Sequence, residues 1–118
     1  MRAIRGATML QNNSAEEMKD ATKELLFEMM LKNNVDNSDL ISIILTATVD
    51  LNCAFPAAAA REMGMGDVPL LCSVEMNVVG APEKVVRVLM HCETDLKRSE
   101  ITHIYLRGAE VLRQDLAQ

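Results

Sequence analysis

Residues 72–91 read CSVEMNVVGAPEKVVRVLMH, two apolar runs joined by a Gly80-Ala81-Pro82-Glu83 turn signal, each run carrying one full charge among its hydrophobes. Side chains alternate along a strand. Leu71, Ser73, Glu75 and Asn77 therefore share one face of the first run, and Val85, Arg87, Leu89 and His91 share one face of the second. The pattern predicts a hairpin with strands from about Pro69 to Val78 and from Lys84 to Glu93. An odd-length loop sets Glu75 nearly across from Arg87, whereas an even-length loop puts them on opposite faces; both registers fit the sequence.

Upstream, residues 2–10 mix β-branched and small residues around Gly6 and read as a strand, the glycine marking a bulge or a close approach by another element. Ser14-Ala15-Glu16-Glu17 fits a capping box that opens a helix running to about Asn33, with Met18, Ala21, Leu25 and Met29 in an apolar stripe. Residues 39–48 are a largely apolar run and read as a strand covered on both faces. Pro56, followed by four alanines, starts a short helix that ends at Gly64. Downstream of the hairpin, 94–100 holds a helical turn, 101–106 a last strand and 108–113 a terminal helical turn. The order predicts an α+β (α/β-like) fold, a mixed β-sheet with one long helix packed on it. One helix cannot cover both faces of an apolar sheet, so identical sheets packed around a symmetry axis are expected.

The chain has 118 residues, 49% hydrophobic and 25% charged, the balance of one globular domain over 1–118. A net charge of −5 supplies no basic face for nucleic acid, so any anion site must be local. No apolar run approaches the roughly 20 residues of a membrane helix, and the N-terminus lacks a signal-type apolar region. The expected location is the cytoplasm. Three cysteines without C-x-x-C spacing suggest neither a disulfide framework nor a zinc site. His91 and Cys92 point to opposite faces and make a poor metal pair. Cys53 and Cys92 read as packing residues and His103 as a surface or edge residue.

Arg87 lies between Val86 and Val88, and Arg5 repeats the anomaly in the first strand. A cross-strand ion pair is the plain explanation, though such a pair contributes only about 0.2–1 kcal/mol. A half-buried arginine is costly to desolvate, which a pocket leaving donors free for an anion justifies better. Tyr105, Arg107 and Arg113 add further donors. Together these groups suit a compact polyanion carrying a hydroxyl.

Five segments in order, IRGAT (4–8), ATVDLNCAFPAAAAREM (47–63), VPLLCSVEMNVVG (68–80), VVRVLMHCETD (85–95) and HIYLRGAEVLRQDL (103–116), resemble the trimeric bacterial chorismate mutases of pseudo-α/β-barrel fold. The resemblance implies a homotrimer with sites at subunit interfaces. It implies a Claisen [3,3] rearrangement of chorismate to prephenate in phenylalanine and tyrosine biosynthesis, with no cofactor, metal or covalent intermediate. By resemblance Arg87 faces the breaking ether oxygen, Glu75 engages the ring hydroxyl with Cys72 beside it, and Arg5 and Tyr105 grip carboxylates. Phe55, Ala57, Arg61, Leu71, Leu112 and Arg113 match positions lining or flanking the pocket. Ala58, Val49 and Leu71 depart from the Lys, Pro and Thr found in relatives, and little chain follows Arg113 to close over the site. A non-catalytic trimer binding a small dicarboxylate metabolite is the alternative.

Overall fold

The computed structural model describes residues 1–116, with side chains through Arg113. Its elements are β1 (Arg2–Met9), α1 (Ala15–Lys32), β2 (Leu40–Ala47), α2 (Ala57–Glu62), β3 (Leu70–Val74), β4 (Val85–Cys92), β5 (Ile104–Leu106) and α3 (Glu110–Leu116), with short 3-10 turns at Asn37–Asp39 and Arg98–Glu100. The strands form one mixed sheet in the order β3-β2-β4-β1-β5. β4 is antiparallel to both β1 and β2, whereas β5 joins β1 and β3 joins β2 in parallel.

The predicted hairpin is not formed. β2 lies between β3 and β4, and strand β3 ends at Val74 rather than Val78. Residues 75–84 carry the chain from the sheet edge across the end of β2, and a connection of that length does not impose direct pairing. Adjacency in sequence thus misleads here, although the alternation within each strand is as read.

α1 packs against the inner face of the sheet. The Ser14 hydroxyl accepts the Glu17 N–H at 3.3 Å, as a capping box requires. The reciprocal half of the box is not made: the Ser14 N–H donates to the Asn12 carbonyl at 3.0 Å, and the Glu17 carboxylate instead accepts the N–H groups of Gln11 at 2.6 Å and Asn12 at 3.1 Å. Met18, Ala21, Leu25, Leu26 and Met29 are fully or almost fully buried against the sheet. Each of the larger side chains contributes about 1.5–3 kcal/mol relative to exposure. Gly6 is a close approach: a Cβ there would lie 2.4 Å from Met29 Sδ and 3.1 Å from Leu25 Cδ1. Its missing side chain therefore makes room for the helix and not for a pocket beside Arg5.

Asn33 terminates α1 and ties it to the distant β5 segment. Its Nδ2 donates to the carbonyls of Met29 and Thr102, both at 2.8 Å, while its Oδ1 accepts the Thr102 N–H at 2.8 Å. A buried polar side chain is tolerable because every bond it needs is made.

β2 is covered on one face only. Ile43, Leu45 and Ala47 are buried under the helix layer, whereas Ser42, Ile44 and Thr46 are half-buried on the outer face. Along β4 the same division leaves Arg87 exposed and Leu89 and His91 half-buried opposite Val86, Val88, Met90 and Cys92. Cys92 packs in the core, where burial pushes its thiol pKa up. Cys53 does not pack: it is exposed, its thiol donating to the Asn13 carbonyl at 3.1 Å.

Candidate active site

The strand register places two rows of residues across the outer face. Ser73, Thr46, Arg87, Ala7 and Tyr105 are successive register partners from β3 to β5. Two residues along, Leu71, Ile44, Leu89 and Arg5 form the second row, which His103 completes by accepting the Arg5 backbone N–H on Nδ1 at 2.9 Å. Ala7 is fully buried between Arg87 and Tyr105. The chain then reverses after β5 through Arg107 and Gly108, both at positive φ, which brings α3 over this face. Gly108 suits the left-handed region without a Cβ penalty, and Arg107 is anchored there by a 3.1 Å ion pair with Glu24.

The result is a cleft of about 280 Å³ lined by Arg5, Thr46, Glu75, Arg87, Tyr105 and Leu112, with Ile44, Leu89 and backbone of the central strands as its floor. Glu75 lies one residue beyond β3, its N–H bound to the Ala47 carbonyl at 3.0 Å. From there the carboxylate reaches over β2 to Arg87. Arg87 Nε donates to Oε2 at 3.0 Å and Nη2 donates to Oε1 at 2.7 Å, a two-pronged pair. The Thr46 hydroxyl also donates to Oε2. The Arg87 guanidinium holds the Glu75 carboxyl below its ordinary pKa despite the opposing effect of burial, with Thr46 adding to the depression. The same pairing raises the Arg87 pKa. Among the described residues no other side chain takes the remaining guanidinium N–H groups, and the Arg87 side chain is 49% exposed. At the cleft's edge, burial and the nearby Arg5 and Arg113 guanidinium groups hold His103 below its ordinary pKa.

Of the residues singled out in the sequence, Arg5, Glu75, Arg87, Tyr105 and Leu112 converge on this cleft. Arg113 follows Leu112 on α3 and is exposed. Cys72 does not stand beside Glu75: it is the register partner of Leu45 on the helix side of the sheet, because alternation turns it away from Leu71 and Ser73. It lines a separate groove with Phe55, Pro56 and Val74. Phe55 and Leu71 are 70% and 62% exposed, Ala57 is buried in α2 and Arg61 projects from it. These five residues lie away from the cleft within the protomer, near the free edge of β3. Thr46 lines the cleft although the sequence does not single it out, whereas His103 stands at the cleft's edge, in keeping with its reading as a surface or edge residue. The alternation of residues 40–47 marks Thr46 as outward-facing, but only the placement of β2 between β3 and β4 puts it between the two charges.

Guanidinium groups, a phenol and one fixed carboxylate line a small cleft whose chemistry suits a compact polyanion bearing a hydroxyl. On the outer face of an α+β sheet, these features describe a protein with a small-molecule cleft. Residues 1–116 match the type I chorismate mutases, and the chain belongs to that family of isomerases. It is 41% identical over 118 residues to chorismate mutase AroH of Bacillus subtilis, covering 99% of this chain and 93% of that protein. It is 43% identical over 117 residues to chorismate mutase AroH of Thermus thermophilus, covering 98% and 96% respectively. Among solved structures, a chorismate mutase from Clostridium thermocellum superimposes with a TM-score of 0.93 at 49% identity, over 94% of this chain and 99% of that one.

Proposed function

We propose that the cleft carries out the family's reaction, the rearrangement of chorismate to prephenate on the route to phenylalanine and tyrosine, without cofactor or covalent intermediate. The observation that carries this reading is the two-pronged Arg87–Glu75 pair in the cleft wall, which Thr46 also bonds and which leaves guanidinium N–H groups without another acceptor among the described residues. The folded conformer of the substrate brings the enolpyruvyl carbon over the ring, and holding it there lowers the entropic part of the barrier. As the ether C–O bond breaks, negative charge grows on the oxygen. Arg87 supplies a cation aimed at that charge, and removal of such a donor typically costs about 3–4 kcal/mol. Glu75 accepts the ring hydroxyl and balances charge left on the ring. Arg5 and Tyr105 take the substrate carboxylates, with Leu112 and Arg113 flanking the opening.

The protomer, a single domain over 1–118 on this reading, acts as one third of a homotrimer. Phe55, Ala57, Arg61, Leu71 and Cys72 then complete the cleft of a neighbouring copy. Support comes from the exposed apolar side chains Phe55, Leu71, Val74 and Met76 near the β3 edge, an unpartnered strand edge that native proteins pair or cover. The cytoplasm suits three unpaired thiols. No described helix is long and apolar enough to cross a membrane.

Loss of chorismate absorbance on adding purified protein, together with the mass in solution by light scattering, tests both parts. Turnover by a particle of three chains is the expected result. Tight dicarboxylate binding without turnover would make the protein a binder, and full turnover by a monomer would remove the shared-site arrangement.

A further inference from the structure

β2 separates β3, which leads into Glu75, from β4, which bears Arg87, so the backbones of Ser73 and Arg87 stand about 10 Å apart across it. Thr46 occupies the middle of that gap, the register partner of both. Its hydroxyl has one close acceptor, Glu75 Oε2; the alternative, the Arg87 carbonyl, lies at 3.5 Å. Oε2 thus accepts two bonds, one from Thr46 and one from Arg87, whereas Oε1 depends on Arg87 alone. These bonds respond differently when an anionic substrate enters. A dicarboxylate competes for guanidinium donors and repels the Glu75 carboxylate, which loosens the ion pair from both sides. The Thr46 donor is neutral, belongs to a central strand and is not drawn to the ligand.

We propose that Thr46 is a positioning residue for the rearrangement: its hydroxyl holds the Glu75 carboxylate at the cleft wall independently of Arg87. Arg87 can then turn donors toward the breaking ether oxygen without the carboxylate following it. This inference rests on the roles assigned above to Arg87 and Glu75. The charged and titratable groups around the carboxylate are Arg87 from β4, Arg5 from β1 and Tyr105 from β5 in the cleft, with Asp50 and Glu83 lining the adjoining groove that also borders Glu75. Of the neighbours, only Arg87 and Thr46 donate hydrogen bonds to it among the described residues.

The test is a double-mutant cycle with Thr46→Val, which keeps shape and strand preference but lacks the hydroxyl, in the wild-type and Glu75→Ala backgrounds, with Thr46→Ser as the rescue variant. In the otherwise wild-type enzyme, Thr46→Val is expected to lower kcat about tenfold, with a smaller change in KM. It should also move the acid limb of kcat/KM to higher pH, because a bond favouring the charged carboxylate is gone. Thr46→Ser should remain within about twofold of wild type, and Thr46→Val should add nothing once Glu75 is alanine. Full activity of Thr46→Val with an unmoved acid limb would overturn the proposal, as would an equal loss in both backgrounds, which would mean that the side chain acts by packing. If Glu75→Ala alone costs nothing, the role of Glu75 fails first and the inference falls with it. Thr46→Ala repeats the hydroxyl deletion with less bulk should the valine variant not fold.

Discussion

Replacing Arg87 by lysine separates what the guanidinium does for catalysis from what it does for the fold. Lysine keeps the positive charge but lacks the planar fork, so the paired bonds of 3.0 Å and 2.7 Å to the two Glu75 oxygens cannot both be retained. For stability the loss is small. The Arg87 side chain is 49% exposed, so solvent screens the pair and the cost is held to about 0.5–1 kcal/mol. In a domain of 118 residues this lowers Tm by about 4 °C. For catalysis, a displaced cation forfeits most of the stabilisation of the ether oxygen, about 3–4 kcal/mol, which is a fall in kcat of two to three orders of magnitude. The assay pairs the rate of chorismate loss at saturating substrate with thermal unfolding of the same preparation. A kcat within threefold of wild type would refute the assigned role, and so would a rate loss explained by an unfolded variant.

Four other substitutions or conditions probe the same framework. Glu75→Gln should retain more turnover than Glu75→Ala if accepting the ring hydroxyl dominates; equal losses measured by kcat would point to charge instead. Because Arg87 holds the folded Glu75 carboxyl below its ordinary pKa, the pair's contribution to stability is fully present above the ordinary value and is lost as pH falls through the depressed one. Urea unfolding of wild type and Glu75→Gln should therefore differ near neutrality and converge in strong acid. Gly6→Ala should cost about 1–2 kcal/mol in urea unfolding, since Met29 and Leu25 are fully buried and have little room to give way. No change would mean that α1 is not seated as described. Cys72→Ser should keep substantial activity, a pericyclic step needing no nucleophile; complete inactivation of a folded variant would contradict this.

Local features were legible where local physics decides them. The Ser14–Glu17 cap, the apolar stripe of α1 and the alternation in β4 each follow from neighbours a few residues apart, and all three stand in the structure. The charges at Arg5, Glu75 and Arg87 were legible as anomalies, and the cleft brings them together. Sheet order was not legible, because insertion of β2 between β3 and β4 is a pairing of distant segments that no turn residue encodes. The hairpin was the wrong inference for that reason, and Thr46 was missed with it. Cys72 shows the converse: alternation along β3 already turned it away from Glu75, although the resemblance set the two side by side.

The bonds from Asn33 to Thr102 tie the last turn of α1 to the segment that delivers Tyr105. They make the helix a measuring rod. An added or deleted residue within 15–33 would rotate Asn33 away from Thr102 by about 100° and release the terminal strand with its phenol, however well the altered helix packed. Length variation among descendants of this chain should accordingly accumulate within 76–83, where the described backbone bonds are local ones between Glu75, held by Ala47, and Lys84, held by Asp50, and spare the helix altogether.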